Sequence, residues 1–270
     1  MYCDNFYSPY LFSLYVQQKP LSAAITGSST APLVPKCDAS VQTDNDILTD
    51  ESPEFAARPP PCLKREMITS TNMFREIDRR VADTPEYETL QELVENICKY
   101  TKNDLFKVRA IFRWITINIK FDWKYMGVNM SSEEILKCGE GVCKDYCQLF
   151  ADMCRLAGIR VKKIEGFAKG QDYRPGHQFK PGEDITHTWN AVFLMSAWRL
   201  IDTTWGTGYT EPSGRFQRKL NEHFFLTDPE VLIWTHFPYN DMEDNYCSAL
   251  FGANKYSVTE YMISIFHFWL

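Results

Sequence analysis

Apolar and polar residues follow two different periods along the middle of this chain, and the change of period marks its elements. Over residues 84–100, Leu90, Leu93, Ile97 and Cys98 recur at three- and four-residue intervals, the spacing that lines one face of a helix. Thr84 reads as its cap, with Pro85 at the first helical position, where a missing N–H costs nothing. A second helix is expected in KNDLFKVRAIFRWITINIKFD (102–122), capped by Asn103 or Asp104, with Phe106, Ala110, Phe112 or Arg113, and Ile117 on adjoining turns. A stripe at this spacing faces core.

Glycines 139 and 141 then interrupt the pattern. After them CKDYCQLFADMCRLAG (143–158) carries Tyr146, Leu149, Phe150, Met153, Leu156 and Ala157 at helical spacing and ends at Gly158, so Cys143 lies in the first turn of a third helix. Beyond it the period shortens to two. ITHTWNAVFL (185–194) alternates as a strand, and AWRLIDTTWG (197–206) is its hairpin partner. If Met195 and Ser196 form a two-residue turn, Leu194 pairs with Ala197 and Trp189 faces Asp202. His187 then lies on the same face one diagonal away, a reach of about 7–8 Å. A three-residue turn would put Asp202 on the opposite face. Met-Ser is unusual chemistry for such a turn, which favours Asn and Gly.

Composition changes the picture at both ends. Residues 20–61 are rich in Ser, Thr, Ala, Pro and Asp and show no period, so they bury too little apolar surface to offset the entropy of ordering. A flexible region over 1–66, a domain over 67–240 and an apolar C-terminal extension over 241–270 are expected. Within the tail, ASVQTD (39–44) reads as linker; its alternative is a strand added to a partner's sheet, since it loosely resembles the glutamine-threonine motif bound by dynein light chains. The 270 residues, 44% hydrophobic, suffice for a buried core. A net charge of -6 argues against a nucleic-acid partner. The N-terminus lacks a basic segment followed by an apolar run, and no stretch is long and apolar enough to span a bilayer. Nine cysteines, an odd number without regular spacing, suit a reducing, cytoplasmic setting.

Those cysteines are not equivalent. A thiol at the start of a helix meets unpaired backbone amides and the positive end of the helix dipole, which favour the thiolate; Cys143 has that position. Cys147 and Cys154, deeper in the helix, read as small core residues. The cluster lacks the paired CxxC spacing of structural zinc, so neither metal nor cofactor is expected. A nucleophilic cysteine needs a base and a group to orient it. Of His177, His187, His223, His236 and His267, the hairpin register singles out His187, with Asp202 beside it.

GEGVCKDY, THTWNAV and RLIDTTWG are together similar to the three signature blocks of the transglutaminase-like fold in the papain-like superfamily, in the order Cys, His, Asp. The 102–122 segment and LNEHFFLTDPEVLIWTHFP (220–238) resemble the kyphoscoliosis peptidase family of cytoskeleton-associated proteins. The likeness runs from about Phe74 to Pro238. It implies an α+β fold, with the nucleophile helix packed on an antiparallel sheet supported by Trp189, Trp198 and Trp205. It also implies Cys143 as nucleophile, His187 as base and Asp202 as its orienter, in a cysteine peptidase or transglutaminase of the cytoplasm, associated with the cytoskeleton and acting on protein substrates. The Cys143 amide is one expected oxyanion donor; a second is sought in 114–125, with Trp123 a candidate. Phe121 stands before Asp122 where the family usually has tyrosine, and the ending SVTEYMISIFHFWL departs from the family, as a shortened or alternative end would. NDMEDN (240–245) reads as a solvated acidic loop rather than a calcium site. Two classes stay open: an acyl-transfer enzyme, favoured by the intact set of three, and a non-catalytic cytoskeletal adaptor that keeps the fold.

Overall fold

Side-chain caps decide where the helices begin. Thr89 accepts a hydrogen bond from the Glu92 amide and opens the helix Leu90–Cys98, so the cap is Thr89 and not the expected Thr84. The Thr84 hydroxyl instead donates back to Arg80 O at 3.2 Å, beyond the end of the helix Arg75–Ala82. Pro85 thus follows a helix rather than starting one, a common place for a residue that cannot continue the ladder. Asn103 is the cap of the central helix Asp104–Asn118, accepting from the Leu105 amide at 2.9 Å. Ser131 and Glu134 form a reciprocal capping box on the helix Ser132–Cys138, which stops at Gly139 in the left-handed conformation, φ 67. In this computed structural model residues 55–239 are described, except 57, 71, 171–172 and 175–183. The 39–44 segment, the acidic run 240–245, the 241–270 extension, His177 and His267 lie outside the described residues.

The central helix has no solvent face of the ordinary kind. Val108, Ala110, Ile111, Phe112 and Ile115 are all wholly buried, while Phe106, Arg113 and Ile117 of the expected stripe are only half-buried. The reason is its place: the helices Arg75–Ala82, Leu90–Cys98, Cys143–Leu156 and Thr203–Thr207 all pack on it, and a helix enclosed on several sides cannot be reduced to one stripe. Each wholly buried Ile or Phe contributes about 1.5–3 kcal/mol. Its one buried charge is fully partnered. Arg109 donates from Nε and Nη2 to Asp78 at 2.8 and 2.6 Å, and from Nη1 and Nη2 to Glu222 at 2.5 and 2.6 Å. These two forked pairs tie the helix Arg75–Ala82, the central helix and the 3-10 turn Glu222–Phe224 together.

Two short strands, β1 (Lys120–Phe121) and β2 (Glu140–Gly141), run parallel just before the cysteine helix, Cys143–Leu156. The main sheet is built from β3 (Val161–Ala168), β4 (His187–Leu194) and β5 (Ala197–Ile201). A separate hairpin follows in β6 (Gly208–Thr210) and β7 (Phe216–Arg218), and β8 (His236–Pro238) returns to the main sheet, whose order is β5-β4-β3-β8 with all pairings antiparallel. The β4–β5 register is the expected one, Leu194 opposite Ala197, and the connecting Met195 and Ser196 both adopt positive φ, 52 and 61. That is the primed geometry whose twist matches the strands; the register dictates it despite the residue types.

The cysteine helix packs on β3 and β4, giving an α+β arrangement of a cysteine-bearing helix on an antiparallel sheet. Gly166 is the hinge of the far side: it faces His187 on one neighbour and Pro238 on the other. A Cβ there would stand 2.1 Å from Phe237 O, so only glycine lets β8 approach. Upstream of Met67, Phe55 O accepts from Trp198 Nε1 at 2.8 Å and Cys62 O accepts from Arg199 Nη1 at 2.6 Å. Composition does not signal these anchors because they are backbone carbonyls. Among the described residues no helix is long and apolar enough to cross a membrane.

Candidate active site

The site begins with the glycine turn before the cysteine helix. Val142 is the cap residue, and its amide donates to Asp145 Oδ2 at 2.8 Å. Asp145 is buried, and it fits there because Gly141 has no side chain: a Cβ would come within 2.7 Å of Asp145 Cβ. Gly141 and Asp145 therefore lock the first turn and set Cys143 at the first helical position. Cys147, one turn on, is buried and donates to Trp189 O at 3.1 Å. Burial pushes its thiol up to about 12 and that of Cys154 well above the ordinary range, so both remain protonated core residues.

β4 supplies the second member. His187 opens the strand, is buried, and its Nε2 lies 2.8 Å from Asp202 Oδ2. Since a carboxylate only accepts, Nε2 carries the proton, which leaves Nδ1 as the nitrogen for Cys143. The Cys143 thiol is coupled electrostatically to the His187 ring and to Thr188. Burial opposes a thiolate, but the charge and hydrogen bond of His187 together with the Thr188 amide and hydroxyl outweigh it, and the thiol pKa falls below its ordinary value. Among the described residues the buried Thr188 hydroxyl makes no hydrogen bond of ordinary geometry, so His187 is the main support of the thiolate.

Asp202 caps the helix Thr203–Thr207 at the end of β5, with Oδ1 accepting from the Trp205 amide at 3.0 Å. Its Oδ2 accepts twice, from His187 and from His236 Nε2 at 3.0 Å. Burial disfavours the carboxylate, yet the two imidazoles more than compensate and hold its pKa well below the usual range. In return, although burial penalises the imidazolium, the Asp202 charge and hydrogen bond, reinforced by Cys143, raise His187 far above an ordinary histidine. The two shifts run in the directions that favour a Cys143 thiolate beside a His187 imidazolium. Trp189 stacks near His187 with centroids 6.1 Å apart, Trp205 tilts against it at 5.2 Å, and these rings keep water from the charged pair.

The three expected residues thus converge, and a fourth joins them. His236 was one of five candidate histidines, and nothing in its local sequence ties it to Asp202; the contact depends on β8 pairing with β3, with His236 opposite Ala168. The only local hint is the THFP end of the 220–238 block. His223 stays apart on the 3-10 turn, with burial lowering its pKa to about 4. Trp198 supports the sheet away from the site through Phe55, and Trp123 is 46% exposed with its ring edge-on to Phe121. His187, Asp202 and His236 offer ligand atoms within 4.8 Å of one another. Both nitrogens, however, sit at hydrogen-bond distance from a single oxygen, the arrangement of a doubly donated carboxylate, and no ligand set is assigned to it.

A family model described as the transglutaminase-like superfamily matches residues 91–203. The chain carries a transglutaminase-like domain. The matched span includes Cys143, His187 and Asp202 and ends before His236. The domain is similar to the Mus musculus protein named kyphoscoliosis peptidase, 34% identical over 181 residues covering 65% of this chain and 27% of that protein. It is similar as well to Lim and transglutaminase domain protein ltd-1 of Caenorhabditis elegans, 29% identical over 67% of this chain and 27% of that protein. Hillarin of Drosophila melanogaster is 27% identical over 74% of this chain and 28% of that protein. The chain thus spans about a quarter of the length of these relatives.

Proposed function

We propose that this transglutaminase-like domain performs cysteine-dependent acyl transfer on protein amides, with Cys143 as nucleophile, His187 as general base and acid, and Asp202 as its orienter. The observation that carries this reading is the buried hydrogen bond between His187 Nε2 and Asp202 Oδ2, which, among the described residues, couples the one histidine of raised pKa to the one cysteine of lowered pKa.

The thiolate attacks an amide carbonyl carbon, forming a C–S bond while the carbonyl oxygen gathers charge. The Cys143 amide, at a helix position without an intrahelical acceptor, donates to that oxygen. His187 then gives its proton to the amide nitrogen, the C–N bond breaks, and a thioester remains. Water or an amine, deprotonated by His187, attacks the thioester and releases the thiol. The name of the mouse relative, a peptidase, supports water as acceptor; that of the nematode relative, with a transglutaminase domain, supports an amine. The same three residues serve both. On the family resemblance, the substrates are taken to be proteins of the cytoplasmic cytoskeleton.

The test is labelling with iodoacetamide at mildly acidic pH, read by peptide mass spectrometry. Cys143 should react far faster than Cys62, Cys98, Cys138, Cys147 and Cys154, and His187→Ala should abolish the difference. Uniformly slow labelling of the folded protein would sink the reading and leave the adaptor class.

A further inference from the structure

We propose that His236 is a positioning residue for this reaction: as a neutral imidazole it donates Nε2–H to Asp202 Oδ2 and holds the carboxylate on the axis of His187. The inference rests on the reading of Cys143, His187 and Asp202 given above, and goes beyond it by assigning work to a residue outside the matched span.

The seat of His236 is built from several sides. Its Nε2 is 3.0 Å from Asp202 Oδ2, while Nδ1 is 2.8 Å from the Thr235 hydroxyl. The carboxylate can only accept, so Nε2 bears the proton, Nδ1 is left as an acceptor, and the Thr235 hydroxyl donates to it at the shorter distance, with Leu232 O at 3.2 Å as its other acceptor. The ring is 2% exposed. Trp205 packs edge-on at 4.6 Å and Trp189 at 5.0 Å, and Phe224 is tilted against it at 5.9 Å. The strand that carries it is admitted by Gly166, where any side chain would collide with Phe237 O.

The titratable groups facing His236 are Asp202 beyond the end of β5, His187 on β4 and His223 on the 3-10 turn. Burial first, and the nearby His187 charge, keep His236 neutral against the pull of Asp202. Neutrality matters: a second imidazolium would compete with His187 for the same oxygen, whereas a neutral donor fixes that oxygen and leaves the full carboxylate charge to His187. The Trp205 amide holds only Oδ1. Without His236, Oδ2 has one restraint fewer and a buried carboxylate loses one of its three donors.

The experiment uses the full chain and compares His236→Phe, which keeps a flat ring without a donor, with His236→Gln, whose side-chain amide can donate. Cys143 labelling by iodoacetamide is followed against pH, with near-ultraviolet circular dichroism to verify folding. His236→Phe should slow labelling at pH 6 by roughly 10- to 100-fold, the loss typical when a partner orienting a functional side chain is removed, and move the onset to higher pH. His236→Gln should restore most of the rate. Equal rates in the wild type and folded His236→Phe would overturn the inference, as would equal slowing by Phe and Gln. A wild type whose Cys143 shows no acidic onset would instead bring down the underlying reading, and this inference with it. Should His236→Phe not fold, nitrogen-15 NMR of the wild-type histidines decides: His236, identified by its absence in His236→Gln, must be neutral with the proton on Nε2 through pH 7, and a charged or Nδ1–H form would refute the role.

Discussion

Replacing Asp202 by Asn removes one charge and almost no volume, which makes it the sharpest probe of the site's electrostatics. Asp202 is 1% exposed and its Oδ2 is 2.8 Å from His187 Nε2. Opposite charges centred about 4 Å apart attract by about 4 kcal/mol at the effective dielectric suited to protein sites, equivalent to about three pH units on the His187 imidazolium. Deprived of that support, His187 gives up its proton about three pH units earlier than its folded value of about 10, so at pH 8 the ring is mostly neutral and Cys143 loses the cation that keeps it ionised. With only about one ring in ten still charged at that pH, labelling at pH 8 should fall roughly tenfold. At pH 5–6, where the ring is charged in both proteins, the rate should change little. Rates of iodoacetamide labelling between pH 5 and 8 measure it directly, alongside a circular dichroism spectrum to verify the fold. A folded Asp202→Asn protein with the wild-type rate and onset would refute the ion-pair argument.

Two further predictions concern stability. Arg109→Met leaves Asp78 and Glu222 facing each other without their cation; breaking a buried pair costs about 3–5 kcal/mol, but the Glu222 side chain is 54% exposed and regains water, so about 2–3 kcal/mol is expected. At about 2–4 °C per kcal/mol for a domain of this size, the melting temperature should drop by roughly 5–10 °C, and an unchanged melt would show that the forked pairs contribute nothing net. The second prediction is a stability plateau bounded on both sides. Asp202 and Glu222 have lowered pKa values in the fold, so their contribution is complete above the unfolded carboxylate range near 4 and is lost as pH falls through their folded values. His187 is raised, so its contribution is complete below the unfolded histidine value of about 6.5 and is lost as pH rises toward its folded pKa. Urea melts from pH 3 to 10 should show both declines, and His187→Gln should remove the alkaline one.

Much of the site was legible because it rests on local geometry. Asn103 caps the central helix as its residue type requires, and Cys143 starts a helix because glycines precede it and an apolar period follows. The step from His187 to Asp202 needed one assumption, a two-residue turn at Met195 and Ser196, since the pleat then puts both on one face. Where a reading misjudged a position, a competing partner decided. Thr84 and Thr89 are the same residue type, and Thr89 caps because Glu92 stands three residues on while the Thr84 hydroxyl turns back to Arg80 O. Along the central helix the period was clear, but which side faces the core has no single answer when helices enclose it.

By itself, then, the sequence determined the starts of the central and cysteine helices, the hairpin register and the order Cys143, His187, Asp202, because each depends on residues close along the chain whose periods and turn lengths are rigid. Only the tertiary structure decided that Arg109 binds both Asp78 and Glu222, that Gly166 admits β8, and that His236 closes on Asp202. Those contacts join segments far apart along the chain, and no local period encodes such a meeting; it exists once the cysteine helix and the sheet have packed and the last strand has paired with the edge of β3.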